Sequence, residues 1–174
     1  MNFTQIKSAI RSNKSPDFEK ISNNLLRFFD SKTVNTLIHE DYENLTSVFT
    51  LISDFVMSDK EESQDFIIYH SEDFFRLVSK YFSLSDDDMF ENFTYMILAI
   101  FEKMKDIEFR MSENLAKYIF KSITKLMTDP KEEAQKFCQE SNSLFYEIAS
   151  PSIIISVIAQ MTIKIKNWFT NFTV

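Results

Sequence analysis

The sequence predicts an all-α chain, and three observations predict it. Apolar residues recur at spacings of three and four. Leu45, Phe49, Ile52 and Val56 make one stripe, and Phe93, Ile97, Ile100 and Met104 make another. Residues that open helices punctuate the chain between such stripes. The 174 residues also include no glycine. Tight hairpins favour glycine, so an extensive antiparallel sheet is disfavoured, whereas helices use it only past their C-termini, where Asn can stand in.

The elements follow in order. Ser15 before Pro16 and Ser150 before Pro151 pair an N-cap with proline at the first helical position. Asp129 before Pro130, with Glu132 three residues past the cap, reads as a capping box. Ser71, Ser85 and Ser112 read as further caps, each followed by acidic residues that suit the helix dipole. These signals place main helices near 2–12, 16–30, 41–58, 72–84, 88–105, 113–128, 131–149 and 151–169, with short turns at 33–39 and 61–70. The stretch "FIIYH" (66–70) has strand propensity, but one strand has nothing to pair with.

Composition bounds the function. At 44% hydrophobic and 26% charged residues, the chain is expected to fold as a single globular unit. Loops that cradle nucleotide phosphates need glycine where no side chain fits, and none is available. A net charge of −7 opposes nonspecific nucleic-acid binding, which rests on Lys and Arg neutralising phosphates. The single cysteine, Cys138, forms no internal disulfide and no cysteine-based zinc cluster. Gln5, Lys7 and Arg11 interrupt any signal-peptide core, so the expected compartment is the cytoplasm or the nucleus. The Asn-x-Ser/Thr sites at Asn2, Asn13, Asn44, Asn92 and Asn171 are accordingly expected to be unmodified. The apolar run 152–163 is too short to span a bilayer and is followed by Lys164 and Lys166. No cofactor and no metal is expected.

Internal similarity organises the helices. "NFTQIKSAI" begins at residue 2, "NLTSVFTLI" at residue 44 and "NFTYMILAI" at residue 92. The outer two share Asn2/Asn92, Phe3/Phe93, Thr4/Thr94, Ala9/Ala99 and Ile10/Ile100, and Glu43 matches Glu91 before the later copies. "LLRFF", "FFRLV" and "IFKSI" follow the copies in the same order, and "FFRLVSKYF" aligns with "IFKSITKLM" at a spacing of forty-five. A helical unit of about 42–48 residues is the mark of a solenoid.

Residues 62–104 and 108–150 together resemble armadillo repeats, with HEAT repeats close behind: a short helix, an apolar convex-side helix, a polar break and a groove-lining helix. The resemblance implies a right-handed α-solenoid of about three to four repeats in one domain over 1–174. Its units would be 1–31, 32–84 with 88–106, 107–150, and a terminal helix at 151–174. Ser71 and Glu72 stand where the armadillo glycine is expected, which leaves armadillo and HEAT both open.

The resemblance further implies a concave binding face. Armadillo proteins that carry nuclear import signals present a Trp and, four residues later, an Asn. Those positions fall on Ser8, Thr50, Leu98 and Asn142, and on Ser12, Asp54, Glu102 and Tyr146, so the ladder that grips an import signal is missing. What remains as the candidate face is Ser47, Thr50 and Asp54, then Tyr95, Leu98 and Glu102, then Gln139, Asn142 and Tyr146. Its carboxylates favour a basic protein or peptide; the competing reading is an ordinary solvent-facing surface. Trp168 and Phe169 suggest a second, end-to-end contact through the last helix.

Catalysis is the weaker class. Cys138 with His39 or His70 could make a nucleophile and base, but a lone helical Cys is more often a packing residue. Asp86, Asp87 and Asp88 read as a dipole-favoured first turn rather than a cation site. The expected function is a non-catalytic interaction scaffold. The alternative is a viral helical bundle resembling Bcl-2-like death inhibitors, whose groove motif uses a glycine absent here.

Overall fold

The computed structural model describes residues 39–170 other than 60 and 85, together with Arg27; side chains are left undescribed at 39–41, 161 and 163–170. The first sequence copy, the helices expected at 2–12 and 16–30 (Arg27, which is helical, excepted), the turn at 33–39 up to residue 38, and the Ser15 and Ser85 caps lie outside the described residues. Six helices follow: α1 (His39–Val56), α2 (Glu61–Val78), α3 (Asp87–Asp106), α4 (Glu113–Leu126), α5 (Glu132–Ile148) and α6 (Pro151–Thr170). A 3-10 turn, Ser79–Ser83, extends α2. There is no strand among the described residues, and "FIIYH" lies inside α2.

Local chemistry explains the boundaries. The Asp86 carboxylate accepts from the Met89 N–H at 2.9 Å and caps α3, with Asp87 and Asp88 in its first turn and Lys103 and Lys105 in its last. The Asn-x-Thr motif at Asn92 therefore lies inside this helix and does not start it. At its far end Phe109 N–H reaches the Met104 carbonyl (2.8 Å) and Glu108 N–H reaches that of Lys105 (3.0 Å), a Schellman closure. Glu108 takes the left-handed conformation (φ 49°) that glycine would fill in a chain that had one. Ser112 caps α4 as expected, accepting from the Leu115 N–H at 3.1 Å, and α6 opens on Pro151.

Two boundaries differ from expectation. Ser71 does not cap a helix; it is buried in the middle of α2. Phe66, Ile67, Phe74, Phe75 and Val78 form one uninterrupted buried stripe across it, and burying that stripe outweighs a local cap. The short helix and convex-side helix expected for an armadillo unit are thus one helix. Nor does Asp129 cap α5. Its carboxylate accepts from the Lys131 N–H at 3.0 Å, an Asx turn that ends before the helix, and α5 starts at Glu132 with extended Lys131 as its N-cap.

The helices alternate between two rows. α1 packs on α3 and α3 on α5; α2 packs on α4 and α4 on α6. Between the rows lies an aromatic core. Phe93 of α3 meets Phe49 of α1 (5.4 Å between ring centroids) and Phe82 of the 3-10 turn (4.8 Å), and Phe82 reaches Phe137 of α5 (5.7 Å). Phe75 stacks on Phe101 at 5.6 Å, joining α2 to α3. The terminal helix is tied to its row by one carboxylate: Glu113 of α4 accepts from Ser156 (3.0 Å) and Gln160 (2.6 Å) of α6, and pairs with Lys117 (3.0 Å). These partners, Lys117 first, hold the Glu113 carboxyl below its ordinary pKa.

Burial recurs from helix to helix within the first row. Leu45, Phe49 and Ile52 are buried, and so are Phe93, Ile97 and Ile100 forty-eight residues on. From α3 to α5 the matching spacing is forty-five: Met89 with Ala134, Phe93 with Cys138, Met96 with Ser141, and Ile100 with Phe145 are all buried pairs.

Candidate functional site

The face to consider is the outer side of the row α1, α3, α5. Helices in this row face the core with one stripe, which leaves the residues between the stripes open to solvent. Ser47, Thr50 and Asp54 are at least partly exposed on α1, Tyr95, Leu98 and Glu102 on α3, and Gln139, Asn142 and Tyr146 on α5. Thr50 turns its hydroxyl back to the Thr46 carbonyl at 3.0 Å.

Only part of this set converges. Tyr95 and Leu98 line an open groove of about 320 Å³ between α3 and α5. Its other wall is formed by Glu132, Glu133, Lys136 and Glu140 of α5, with Glu91 on the α3 side. Gln139 and Asn142 do not line it. Tyr146 lies instead beside a second cavity of about 620 Å³ near the C-terminal ends of α3 and α5, with Lys105 and Phe109. The burial spacing of forty-five explains why Glu140, and not Gln139, lines the groove. It aligns Tyr95, Leu98 and Glu102 with Glu140, Ser143 and Glu147, one residue later than the forty-four that selects Gln139, Asn142 and Tyr146. One residue on a helix is a rotation of about 100°. The spacing shared by "FFRLVSKYF" and "IFKSITKLM" was the signal that pointed to Glu140 in place of Gln139.

Electrostatically the two rows are unlike. Among the described side chains, α1, α3 and α5 hold eleven acidic against three lysines, whereas α2, α4 and α6 hold six acidic against four basic. Two ion pairs cross the α3–α5 seam. Lys131, just before α5, reaches Asp87 at 2.6 Å near one end, and Lys105 reaches Glu147 at 2.8 Å near the other. The Glu147 hydrogen bond and charge raise the Lys105 pKa. Among the described residues no ion pair reaches Glu91, Glu132, Glu133 or Glu140 in between.

The residues weighed for catalysis sit elsewhere. Cys138 is 4% exposed, and its thiol points to the Ile123 carbonyl at 3.6 Å. Burial, with the nearby Asp129 charge, pushes its pKa up, opposite to what an activated nucleophile needs. His70 lies half-buried on α2 with its ring 6.3 Å from that of Phe66, and the His39 side chain lies outside the described residues. Cys138→Ser is expected to cost about 1–2 kcal/mol in a urea melt and to leave partner binding unchanged; loss of an activity in a folded variant would contradict the packing role. Asp86, Asp87 and Asp88 serve the α3 N-terminus: the first caps it, the second pairs with Lys131, and the third gives its carbonyl to Asn92 at 2.8 Å. No group of three or more metal-ligating side chains is assembled among the described residues.

On α6, Ile155 and Ile158 are exposed, and the side chains of Trp168 and Phe169 lie outside the described residues. Among the described residues no helix is long and apolar enough to cross a membrane. The chain matches no protein-family model, no curated protein and no solved structure.

Proposed function

We propose that the chain is a non-catalytic helical-repeat scaffold that binds a basic protein or peptide segment on the outer face of α1, α3 and α5. The observation that carries this reading is the charge split among the described side chains: eleven acidic against three lysines in one row of helices, and six against four in the other. An excess of one charge along one row of packed helices steers and orients an oppositely charged partner. The alternating packing of odd on odd and even on even helices supports a stacked array, as does the burial pattern that recurs along the first row. With α2 continuous through Ser71, a two-helix unit of HEAT type suits the array better than a three-helix armadillo unit. End-to-end contact through α6, where Ile155 and Ile158 are exposed, belongs to the same proposal.

A fluorescent decapeptide of alternating arginine and alanine tests the binding face by anisotropy. Its affinity should fall from low to high salt. Asp54→Asn combined with Glu102→Gln should weaken it several-fold at low salt with an unchanged melting temperature, since each exposed carboxylate contributes about 0.2–1 kcal/mol. Equal affinity for both proteins at both salt concentrations would reduce the face to a solvated surface.

A further inference from the structure

We infer that the groove between α3 and α5 is the anchor of that face and that it selects arginine: a partner guanidinium stacks on the Tyr95 ring and is held by the carboxylates around it. The inference rests on the scaffold reading above and assigns its recognition chemistry.

Tyr95 is 64% exposed on α3, with exposed Glu91 and half-buried Leu98 one turn to either side on the same face, so its ring is open to a partner. Leu98, one turn on, is half-buried in the same groove and extends an apolar floor on which the stem of a long side chain can lie. Around that floor stand Glu91, Glu132, Glu133 and Glu140, opposed only by Lys136 among the groove's lining residues. Asp87 and Glu147 are already engaged by Lys131 and Lys105 at the two ends of the seam, whereas no ion pair among the described residues reaches the carboxylates beside the exposed ring. At about 320 Å³ the groove is at the lower end of ligand-pocket sizes, which suits one or two side chains rather than a whole helix.

Arginine fits this combination better than lysine. A guanidinium is planar and weakly hydrated, so it stacks on an aromatic face and still presents two N–H groups to a carboxylate. An ammonium is a strongly hydrated point charge. It gains from the carboxylates alone.

The test compares the arginine–alanine decapeptide with its lysine–alanine counterpart on four proteins: the native chain, Tyr95→Ala, Tyr95→Phe, and Glu91→Gln with Glu140→Gln. All three positions are exposed, so circular dichroism should be the same for all four proteins. The native chain should bind the arginine peptide roughly two- to fivefold more tightly than the lysine peptide. Tyr95→Ala should bring that ratio to about one, Tyr95→Phe should preserve it, and the carboxamide pair should weaken both peptides alike. A native ratio near one, or a ratio that survives Tyr95→Ala, overturns the inference. If the Asp54 and Glu102 changes weaken binding while those at Tyr95, Glu91 and Glu140 do not, the scaffold reading stands and the groove is not its anchor. If neither peptide binds the native chain, both fall.

Discussion

Replacing Phe93 with alanine is expected to lower the free energy of unfolding by about 3–5 kcal/mol, a large share of the roughly 5–15 kcal/mol that such a domain has. The ring is fully buried at the junction of three elements. It meets Phe49 of α1 edge-on at 5.4 Å, Phe82 of the 3-10 turn at 4.8 Å and Tyr81 at 6.2 Å. Because those neighbours belong to different elements, each fixed by its own row, they cannot close together over the space the ring leaves. The loss therefore includes a cavity contribution as well as the transfer of the side chain. Urea denaturation followed by circular dichroism measures it, with the slope unchanged if only the native core is affected. Phe93→Leu, which retains most of the volume, should lose clearly less. A loss below about 1 kcal/mol for the alanine variant would mean that the inter-row core is not organised around this residue.

Much of this architecture was legible because short-range signals decide it. α3, α4, α5 and α6 begin and end within two residues of the positions read from stripes and caps, since Ser112 and Pro151 act through bonds or backbone limits set within three residues; the α3 cap is Asp86, which was read as part of the first turn. Ser71 and Asp129 failed for one reason. Each has a second local use, a small residue inside an apolar stripe or an Asx turn, and tertiary packing chose between the uses. Tyr95 and Leu98, which line the groove, were named through the helix that carries them, but the opposite wall was not. Glu132, Glu133 and Glu140 join Glu91 only because α5 lies beside α3, with a register that one residue of spacing displaces. The charge split was hidden for a similar reason. Helices of the two rows alternate along the chain, so the acidic row is diluted in sequence by the more evenly charged one, and the net charge of −7 says nothing of where the excess lies.

Lys103 should prove the most sensitive charged position in the described fold. It lies on α3 with 7% exposure, and its ammonium donates to the Ser58 carbonyl, just past the end of α1, at 2.9 Å. That carbonyl also accepts from the Ser63 hydroxyl at 3.0 Å, near the start of α2. Ser58 lies two residues past α1, near the negative pole of its dipole, so the ammonium ties the segment that joins α1 to α2 onto α3 at one point. Lys103→Met keeps the packed stem and loses the charged bond, and should cost about 1–3 kcal/mol. Lys103→Glu sets a carboxylate against the same carbonyls and should cost more, on the order of 3–5 kcal/mol, as an uncompensated buried charge does. The two variants also differ in pH dependence. Burial beside carbonyls raises the folded-state pKa of the introduced carboxylate above its unfolded value of about 4.3. Its folded form then binds more protons, so the stability of Lys103→Glu should fall as pH rises from about 4 to 7 and recover on acidification relative to Lys103→Met. Urea melts of both variants across that range measure the difference. Equal stabilities at every pH would mean that the side chain at 103 reaches solvent and that the segment after α1 is held by other groups.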